Sequence, residues 1–234
     1  MIKRLCVEAP LPFGEAAGWA TAEELAAART FAPARAQEYL AWRAVVRRTI
    51  GRDACIGYNA AGAPVVTNYP FRIAVSHCPG GLAVGISGER CALDIERIDR
   101  RFDRILPRYL TPAEQALSDD PLFPAIAWCA KETLYKYAGR TGCDLLRDLR
   151  IEGIRFPEEG AAAGVPTGGF AAGASDGPAD ELPEGVPAGI ACGTLFAQIG
   201  GVRIGGGASC GSAAEPLRLH FYRTEEFGVV FRFD

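Results

Sequence analysis

The stretch Trp128-Cys-Ala-Lys-Glu-Thr-Leu-Tyr-Lys-Tyr137 decides the fold prediction, because its residues divide into two faces at helical spacing. Pro124 suits the first turn of a helix and Gly139 the position just past its end, so the sequence predicts a helix of roughly four turns. One face is apolar and can pack on a core: Ala127, Ala130, Leu134, Tyr137 and Ala138. The other face carries charges and aromatic rings: Trp128, Lys131, Glu132, Tyr135 and Lys136.

The charged face has two interpretations. Glu132 and Lys136 are spaced i,i+4 in the favourable order, so they can form a solvated ion pair worth a few tenths of a kcal/mol. The alternative is a functional site, and it depends on a second element upstream.

That second element is Cys91-Ala-Leu-Asp-Ile-Glu96, which alternates apolar and acidic residues. In a strand, Asp94 and Glu96 project from the same face while Leu93 and Ile95 face the core. Two like charges side by side repel each other, so the pair predicts a bound cation. A hard divalent ion, supported by a third carboxylate from a helix, would relieve the repulsion.

Composition indicates a globular protein with reduced thiols. The chain has 234 residues, 49% of them hydrophobic, which allows one large domain or two small ones. A net charge of −3 gives no indication of nucleic acid or of an anionic membrane as a partner. The eight cysteines form no C-x-x-C pair, and we see no signal peptide or membrane span, so we expect a cytoplasmic protein; a disulfide framework remains the alternative.

Helices and strands alternate twice along the chain. Thr21–Glu24 and Thr111–Glu114 have the form of capping boxes, and a long helix is predicted from Pro33 to about Ile50. Strands are predicted at Ile56–Asn59, Pro64–Val66, Arg72–His77, Leu82–Ile86, Cys91–Glu96, Leu149–Phe156, Ile190–Ile199, Leu217–Tyr222 and Phe227–Phe233. We expect the strands at 72–77, 82–86 and 91–96 to form an antiparallel meander on the long helix.

The order of elements predicts an α+β fold of two similar halves, each a helix packed on a small antiparallel sheet. The N-terminal half is placed at residues 1–100 and the C-terminal half at 101–234. A Gly-, Ala- and Pro-rich insertion at about 157–189 is expected to be a long loop.

The combination of motifs resembles the 4′-phosphopantetheinyl transferase superfamily. Asp94-Ile-Glu96 is similar to its Gly-x-Asp-x-Glu signature, and Trp128–Lys136 is similar to Trp/Phe-x-x-Lys-Glu-x-x-x-Lys. Ser76-His77 resembles the family's Ser-His element, and 35–48 resembles its Arg-bearing helix. The length favours the Sfp-like branch, which consists of two-halved monomers with a pseudo-two-fold fold.

The resemblance implies a Mg²⁺-dependent transferase. Coenzyme A would donate its 4′-phosphopantetheine arm to a serine of an apo acyl or peptidyl carrier protein, with release of 3′,5′-ADP. It implies that Asp94, Glu96 and Glu132 bind Mg²⁺, and that Glu132 also accepts the serine proton, directly or through a metal-bound water.

The resemblance also implies the residues that bind the coenzyme. Lys136, a catalytic residue together with Glu132, would balance the diphosphate charge, and Lys131 would assist. Ser76 and His77 would contact the nucleotide phosphates; a strand that simply ends at a turn is their alternative. Arg43 would grip the 3′-phosphate through two hydrogen bonds, although Arg43 and Arg47 also suit a solvated basic helix face.

Two positions depart from the family pattern. Ala92 stands where the first signature begins with Gly, and its methyl group either crowds a backbone approach or is harmless in a strand. The turn Gly62-Ala63-Pro64 lacks the lysine that the family often has there, which predicts weaker coenzyme binding or replacement by another cation, Arg72 or an arginine of the long helix. These departures keep two alternatives open: a non-catalytic coenzyme A or carrier-protein binding module, and an unrelated Mg²⁺-dependent phosphohydrolase.

Overall fold

The structure, a computed structural model, describes residues 2–157, 182–187, 192–200 and 216–234. Its fold is α+β, as predicted. The helices are α1 (Phe13–Ala17), α2 (Ala22–Ala28), α3 (Pro33–Ile50), α4 (Pro112–Gln115) and α5 (Phe123–Ala138), with a 3₁₀ helix at Phe102–Arg108. The strands are β1 (Lys3–Glu8), β2 (Ile56–Tyr58), β3 (Pro64–Val66), β4 (Arg72–Cys78), β5 (Gly81–Ser87), β6 (Cys91–Arg97), β7 (Leu149–Arg155), β8 (Gly193–Ile199), β9 (Leu217–Arg223) and β10 (Phe227–Phe233).

The described chain divides into two compact units. The first contains Met1–Ile95, Pro183–Val186 and Phe233–Asp234, and the second contains Glu96–Leu182 and Pro187–Arg232. The predicted pseudo-two-fold relation between halves 1–100 and 101–234 stays a prediction.

The first unit is built on α3, which begins with Pro33 and ends at Ile50, as predicted. Its apolar face packs on a three-stranded antiparallel sheet, and the shared core consists of Ala41, Trp42, Val45, Val46, Ile73, Leu82, Val84 and Ile86, with contributions from Ala54 and Val66. A separate two-stranded hairpin joins β2 to β3.

The predicted meander is wrong in one strand. The sheet has the order β1-β5-β4, so β5 pairs with β4 as expected, but its other neighbour is β1 rather than β6. The strand Lys3–Glu8 was not among the predicted strands. A hairpin turn favours pairing with the next strand in sequence, but such local preference does not exclude a strand from elsewhere in the chain.

The free edge of β1 also receives part of the predicted insertion. The amide of Leu5 donates to the carbonyl of Glu184 at 2.8 Å, and the amide of Glu184 donates to the carbonyl of Lys3 at 2.9 Å. Arg4 and Glu184 form an ion pair at 2.8 Å beside these bonds. Of the predicted insertion at about 157–189, the structure describes residue 157 and residues 182–187, and the other residues lie outside the described part of the chain.

The second unit packs α5 on a sheet. The strand order is β6-β10-β9-β8-β7, and this unit includes the end of β6 from Glu96 onward. The five residues predicted for the apolar face of α5 are all buried. Their partners in the core include Leu149, Ile151, Leu195, Leu219, Phe221 and Val230 from the strands.

The ends of the helices follow the predicted signals. Thr21 and Glu24 form a reciprocal capping box on α2, and Thr111 and Glu114 form another on α4. Gly139 ends α5 with φ of 64°, the left-handed conformation that favours glycine. No helix of the described residues combines the length and apolar character that a membrane crossing requires.

Truncation of Leu5 to alanine should destabilise the first unit by about 2–4 kcal/mol, because a buried leucine leaves a cavity when it is shortened. Leu5 is 1% exposed in β1, whereas the nearby Ile2 is 52% exposed. Urea unfolding followed by circular dichroism measures the change, and Ile2→Ala is the control, expected within about 0.5 kcal/mol of the parent. Equal effects of the two substitutions would contradict the pairing of β1 with β5.

Candidate active site

The first unit brings together two of the residues predicted for the site, Ser76 and Asp94. Asp94 lies on β6 and is 5% exposed; its neighbours Leu93 and Ile95, which project from the opposite face, are buried as well, so the strand is covered on both faces. Ser76 lies on β4 and donates a hydrogen bond of 2.6 Å from its hydroxyl to Oδ1 of Asp94. This hydrogen bond fixes the orientation of the Asp94 carboxylate.

His77 follows Ser76 on β4 and is half-buried. Its Nδ1 lies 3.6 Å from Oε1 of Glu38 on α3, which is an ion pair only when the imidazole is protonated. Neighbouring residues of a strand point to opposite sides, so Ser76 and His77 face different surroundings within the unit.

Arg43 is engaged inside the first unit. Its Nε donates to Oε1 of Glu24 at 3.1 Å, Nη1 to the carbonyl of Tyr39 at 2.8 Å and Nη2 to the hydroxyl of Tyr58 at 2.9 Å. The guanidinium carbon lies 3.5 Å from the centroid of the Tyr39 ring and 4.1 Å from that of Trp42. The residue is 2% exposed. Its predicted contact with a 3′-phosphate stays a prediction, and the contacts formed here are structural.

Glu24 is the centre of this network. It caps α2 and also accepts two hydrogen bonds from Arg47, at 2.6 Å and 3.0 Å. Burial by itself would raise the pKa of Glu24, but the hydrogen bonds from Arg47 and Thr21, with the charges of Arg47 and Arg43, hold that pKa below its ordinary value. The carboxylate therefore stays charged and joins α2 to α3. The sequence suggested a solvated basic face for α3, and burial of Arg43 and Arg47 corrects that interpretation.

In the second unit, α5 presents Glu132 and Lys136 on its less buried side. Glu132 is half-buried and Lys136 is exposed in the last turn of the helix. Both side chains therefore keep some surface that solvent reaches, and their predicted roles stay predictions.

Lys131 does not share that environment, although the sequence placed it on the polar face. It has no exposed surface, and its ammonium group donates to Oε1 of Glu114 at 2.5 Å, to the carbonyl of Leu145 at 2.8 Å and to that of Leu149 at 2.5 Å. An ammonium group has three donors, and each of them has an acceptor here. The geometry gives Lys131 a structural role, and its predicted contact with the coenzyme stays a prediction.

Glu114 completes this buried pair. Besides Lys131, its carboxylate accepts from the amide of Ile151 at 2.8 Å and from the amide and hydroxyl of Thr111 at 2.8 and 2.9 Å. Burial opposes ionisation, but these hydrogen bonds outweigh it and hold the pKa of Glu114 below its ordinary value. For Lys131, burial lowers the pKa while the contact with Glu114 opposes that shift. The capping box predicted this glutamate, but gave no indication that it also pairs with α5.

Glu96 lies at the end of β6 and has a cationic partner. Its Oε1 accepts a hydrogen bond of 2.7 Å from Nη1 of Arg100. Arg100 was not among the predicted site residues, although it is a cation four residues after Glu96, an acid that was predicted to need a cation.

The two departures from the family pattern are accommodated locally. Ala92 is 1% exposed within β6, so its methyl group is buried inside a regular strand. Ala63 lies in the exposed turn of the β2–β3 hairpin, where its amide donates to the side chain of Asn59 at 2.9 Å.

The predicted metal ligands are three carboxylates, which is the donor chemistry that Mg²⁺ prefers. Asp94 belongs to the first unit, and Glu96 and Glu132 belong to the second. Within the residues that the structure describes, no three or more His, Cys, Asp or Glu side chains are already grouped to hold a metal ion. The three-acid site therefore stays a prediction.

The comparison with protein families gives one match. Residues 90–173 match the model described as the 4′-phosphopantetheinyl transferase superfamily. The matched segment includes five of the predicted site residues: Asp94, Glu96, Lys131, Glu132 and Lys136. It begins after Arg43, Ser76 and His77, which therefore lie outside the match. No curated protein matches the chain significantly. The match confirms the resemblance to the superfamily that the motifs predicted.

Replacement of Lys131 by methionine should destabilise the protein by about 3–5 kcal/mol, because Glu114 would remain buried without its cation. Urea unfolding measures the change. Lys136→Met is the matched control on the same helix, and it should cost less than about 1 kcal/mol because Lys136 is exposed. Similar losses for the two variants would contradict the structural role of Lys131.

Stability should fall in acid because two carboxyl groups have a lower pKa in the folded protein than their ordinary value of 4.5. The stabilisation from Glu24 and Glu114 is fully present above pH 4.5 and is lost as the pH falls through the lower folded pKa. The free energy of unfolding, measured between neutral pH and the acid transition, should therefore decrease less steeply in Glu114→Gln than in the parent. A parental slope in Glu114→Gln would show that this pKa is not lowered.

Proposed function

We propose that this protein, whose residues 90–173 match the 4′-phosphopantetheinyl transferase superfamily, transfers the 4′-phosphopantetheine arm of coenzyme A to a serine of an apo acyl or peptidyl carrier protein. The observation that carries the proposal is the hydrogen bond between Ser76 and Asp94, which joins the Ser-His element to the acidic strand within one unit. The family match covers that strand and the helix that bears Glu132.

The proposed reaction is a phosphoryl transfer from coenzyme A to the carrier protein. The serine oxygen of the carrier attacks the phosphorus next to the pantetheine arm, and the bond from that phosphorus to the oxygen of 3′,5′-ADP breaks. Glu132 accepts the proton of the serine hydroxyl as the attack proceeds. A general base contributes about 10²–10⁴-fold to such a step, and a half-buried carboxylate on a rigid helix is suited to this role.

Asp94, Glu96 and Glu132 would hold Mg²⁺ through their carboxylate oxygens. A bound Mg²⁺ would supply charge neutralisation at the diphosphate. The chain's own contribution is the fixed orientation of Asp94, which Ser76 provides through its hydroxyl. A ligand already held in one orientation loses less conformational freedom when it binds an ion.

Lys136 supplies the cation for the diphosphate in this proposal. It is exposed in the last turn of α5, and a lysine acts as a flexible point charge toward phosphate. Ser76 and His77 are the other groups proposed to contact the nucleotide phosphates; His77 is half-buried on β4, and Ser76 also donates to Asp94. Arg43 and Lys131 have internal partners, Glu24 and Glu114, and their contacts with the coenzyme remain part of the proposal.

The finer assignments belong to the same proposal. We place the protein in the Sfp-like branch as a two-halved monomer of the cytoplasm, with coenzyme A as co-substrate and a carrier protein as acceptor. Its length and the two compact units support the branch, since each unit packs one long helix on a sheet.

A second function is a non-catalytic module that binds coenzyme A or a carrier protein. The observation that favours it is the internal engagement of two predicted phosphate-binding cations, Arg43 and Lys131, together with a neutral residue at Ala63. Catalysis and binding predict different outcomes in the experiment that follows.

Incubation with Mg²⁺, coenzyme A and apo carrier protein should add the mass of one phosphopantetheine group to the carrier, as measured by intact-protein mass spectrometry. Glu132→Gln should lower the rate by about a hundredfold or more, because the amide cannot accept the serine proton. Folding should be unchanged, since Glu132 is only half-buried.

Glu152→Gln is the matched control, with the same chemical change on the exposed face of β7, and it should react at the parental rate. Near-parental turnover of Glu132→Gln would remove Glu132 from the mechanism. Failure to modify any of several carriers, with coenzyme A still bound in calorimetry, would favour the binding module.

A further inference from the structure

Arg100 forms a contact with Glu96 that the proposed reaction does not use. A turn after β6 brings the side chain back toward the strand: the amide of Arg100 donates to the carbonyl of Arg97 at 3.4 Å, and the amide of Phe102 donates to the carbonyl of Arg100 at 2.9 Å. Nη1 then reaches Oε1 of Glu96 at 2.7 Å. The side chain of Glu96 is 16% exposed and that of Arg100 is 51% exposed, so this pair is only partly shielded from solvent.

Two aromatic rings hold the guanidinium group in this position. Its central carbon lies 5.0 Å from the ring centroid of Phe102 and 5.8 Å from that of Trp128. The Trp128 ring is in turn fixed at 5.8 Å from Phe102 and at 5.2 Å, edge to face, from Tyr109. A cation over aromatic faces gains roughly 0.5–1 kcal/mol at exposed sites. These contacts therefore hold the side chain of Arg100 in a defined position.

The position of Trp128 relates Arg100 to the proposed base. Trp128 and Glu132 are one helical turn apart on α5, so their side chains lie on neighbouring parts of one helix surface. Arg100 thus contacts one proposed metal ligand directly and stacks beside the helix surface that carries another.

The charge of Arg100 opposes that of a metal ion at the same carboxylate. The lone pair that accepts from Nη1 is not available to a metal, and a guanidinium near Glu96 repels a divalent cation at short range. A metal bound through another lone pair of this carboxylate would still lie close to the guanidinium charge, so the two cations oppose each other at Glu96.

From this contact we propose that Arg100 competes with the divalent cation for Glu96 and so weakens metal binding by the free protein. The inference rests on the proposed function, because it takes Glu96 as a metal ligand. It assigns to Arg100 a role that sets the metal affinity of the site, without contact with the reacting atoms.

The test is isothermal titration of Mn²⁺, with Mg²⁺ in parallel, into the full chain in the absence of coenzyme and carrier. Arg100→Gln should bind the metal about threefold to fivefold more tightly than the control, which corresponds to the upper range of measured exposed ion pairs. The control is Arg101→Gln, which removes the same charge from the next residue. Arg101 has an exposed side chain and contacts Asp103 at 3.4 Å, so this variant corrects for the general effect of net charge.

A second substitution separates charge from folding effects. Arg100→Lys keeps the charge and should bind the metal with nearly parental affinity, and thermal unfolding of each variant checks that it is folded. Equal affinities of Arg100→Gln and Arg101→Gln, or weaker binding by Arg100→Gln, would overturn the inference.

The variant Glu96→Gln distinguishes a failure of the inference about Arg100 from a failure of the proposed function. Loss of metal binding in Glu96→Gln with no effect of Arg100→Gln would overturn the role of Arg100 alone. Parental metal binding in Glu96→Gln would overturn the metal site itself, and the inference with it.

Discussion

The buried ion pair between Glu114 and Lys131 is the constraint on which the arrangement of the second unit depends. Lys131 is fully buried, and its ammonium group links α5 to the cap of α4, to the carbonyl of Leu145 in the turn before β7 and to that of Leu149 at the start of β7. A charge in this position is stable only if all its partners stay in place. Since Glu132 is the next residue, the pair also fixes the direction in which the proposed base leaves the helix.

The first unit uses a similar construction. Glu24 caps α2 and pairs with Arg43 and Arg47 on α3, just as Glu114 caps α4 and pairs with Lys131 on α5. In each unit the capping glutamate joins a short helix to the long helix that follows it. A capping carboxylate has oxygen lone pairs beyond those that the helix end requires, and a buried cation uses them here. The same local solution therefore stabilises both long helices.

Sequence patterns were sufficient for most of the elements because the signals for them are local. Pro33 and Gly51 bound α3, Pro124 and Gly139 bound α5, and alternation placed the strands, with β4, β5 and β6 ending within one residue of prediction. The pairing of β1 with β5 was overlooked, because strand order depends on contacts between residues far apart in sequence. The same limit explains why the burial of Lys131 and Arg43 was not predicted. Helical periodicity places a residue on a face, but a long cationic side chain can still reach an internal carboxylate from that face.

The motifs also predicted which residues would carry the chemistry, and here the structure adds orientation. Ser76 contacts Asp94, which the separate motifs did not indicate, and Arg100 contacts Glu96, which no motif includes. Two of the three proposed metal ligands thus have a defined donor from the chain itself. The family match to residues 90–173 is independent of these contacts, since it is derived from sequence alone.

The central claim is that Asp94, Glu96 and Glu132 share one divalent cation with the diphosphate of coenzyme A. A crystal structure with coenzyme A and Mn²⁺, examined by anomalous scattering, tests it most directly. The account predicts one metal peak within about 2.0–2.3 Å of an oxygen from each carboxylate and from the diphosphate, the range for divalent cations with oxygen ligands. A bound coenzyme with no metal at these residues, or a metal held by other side chains, would contradict it.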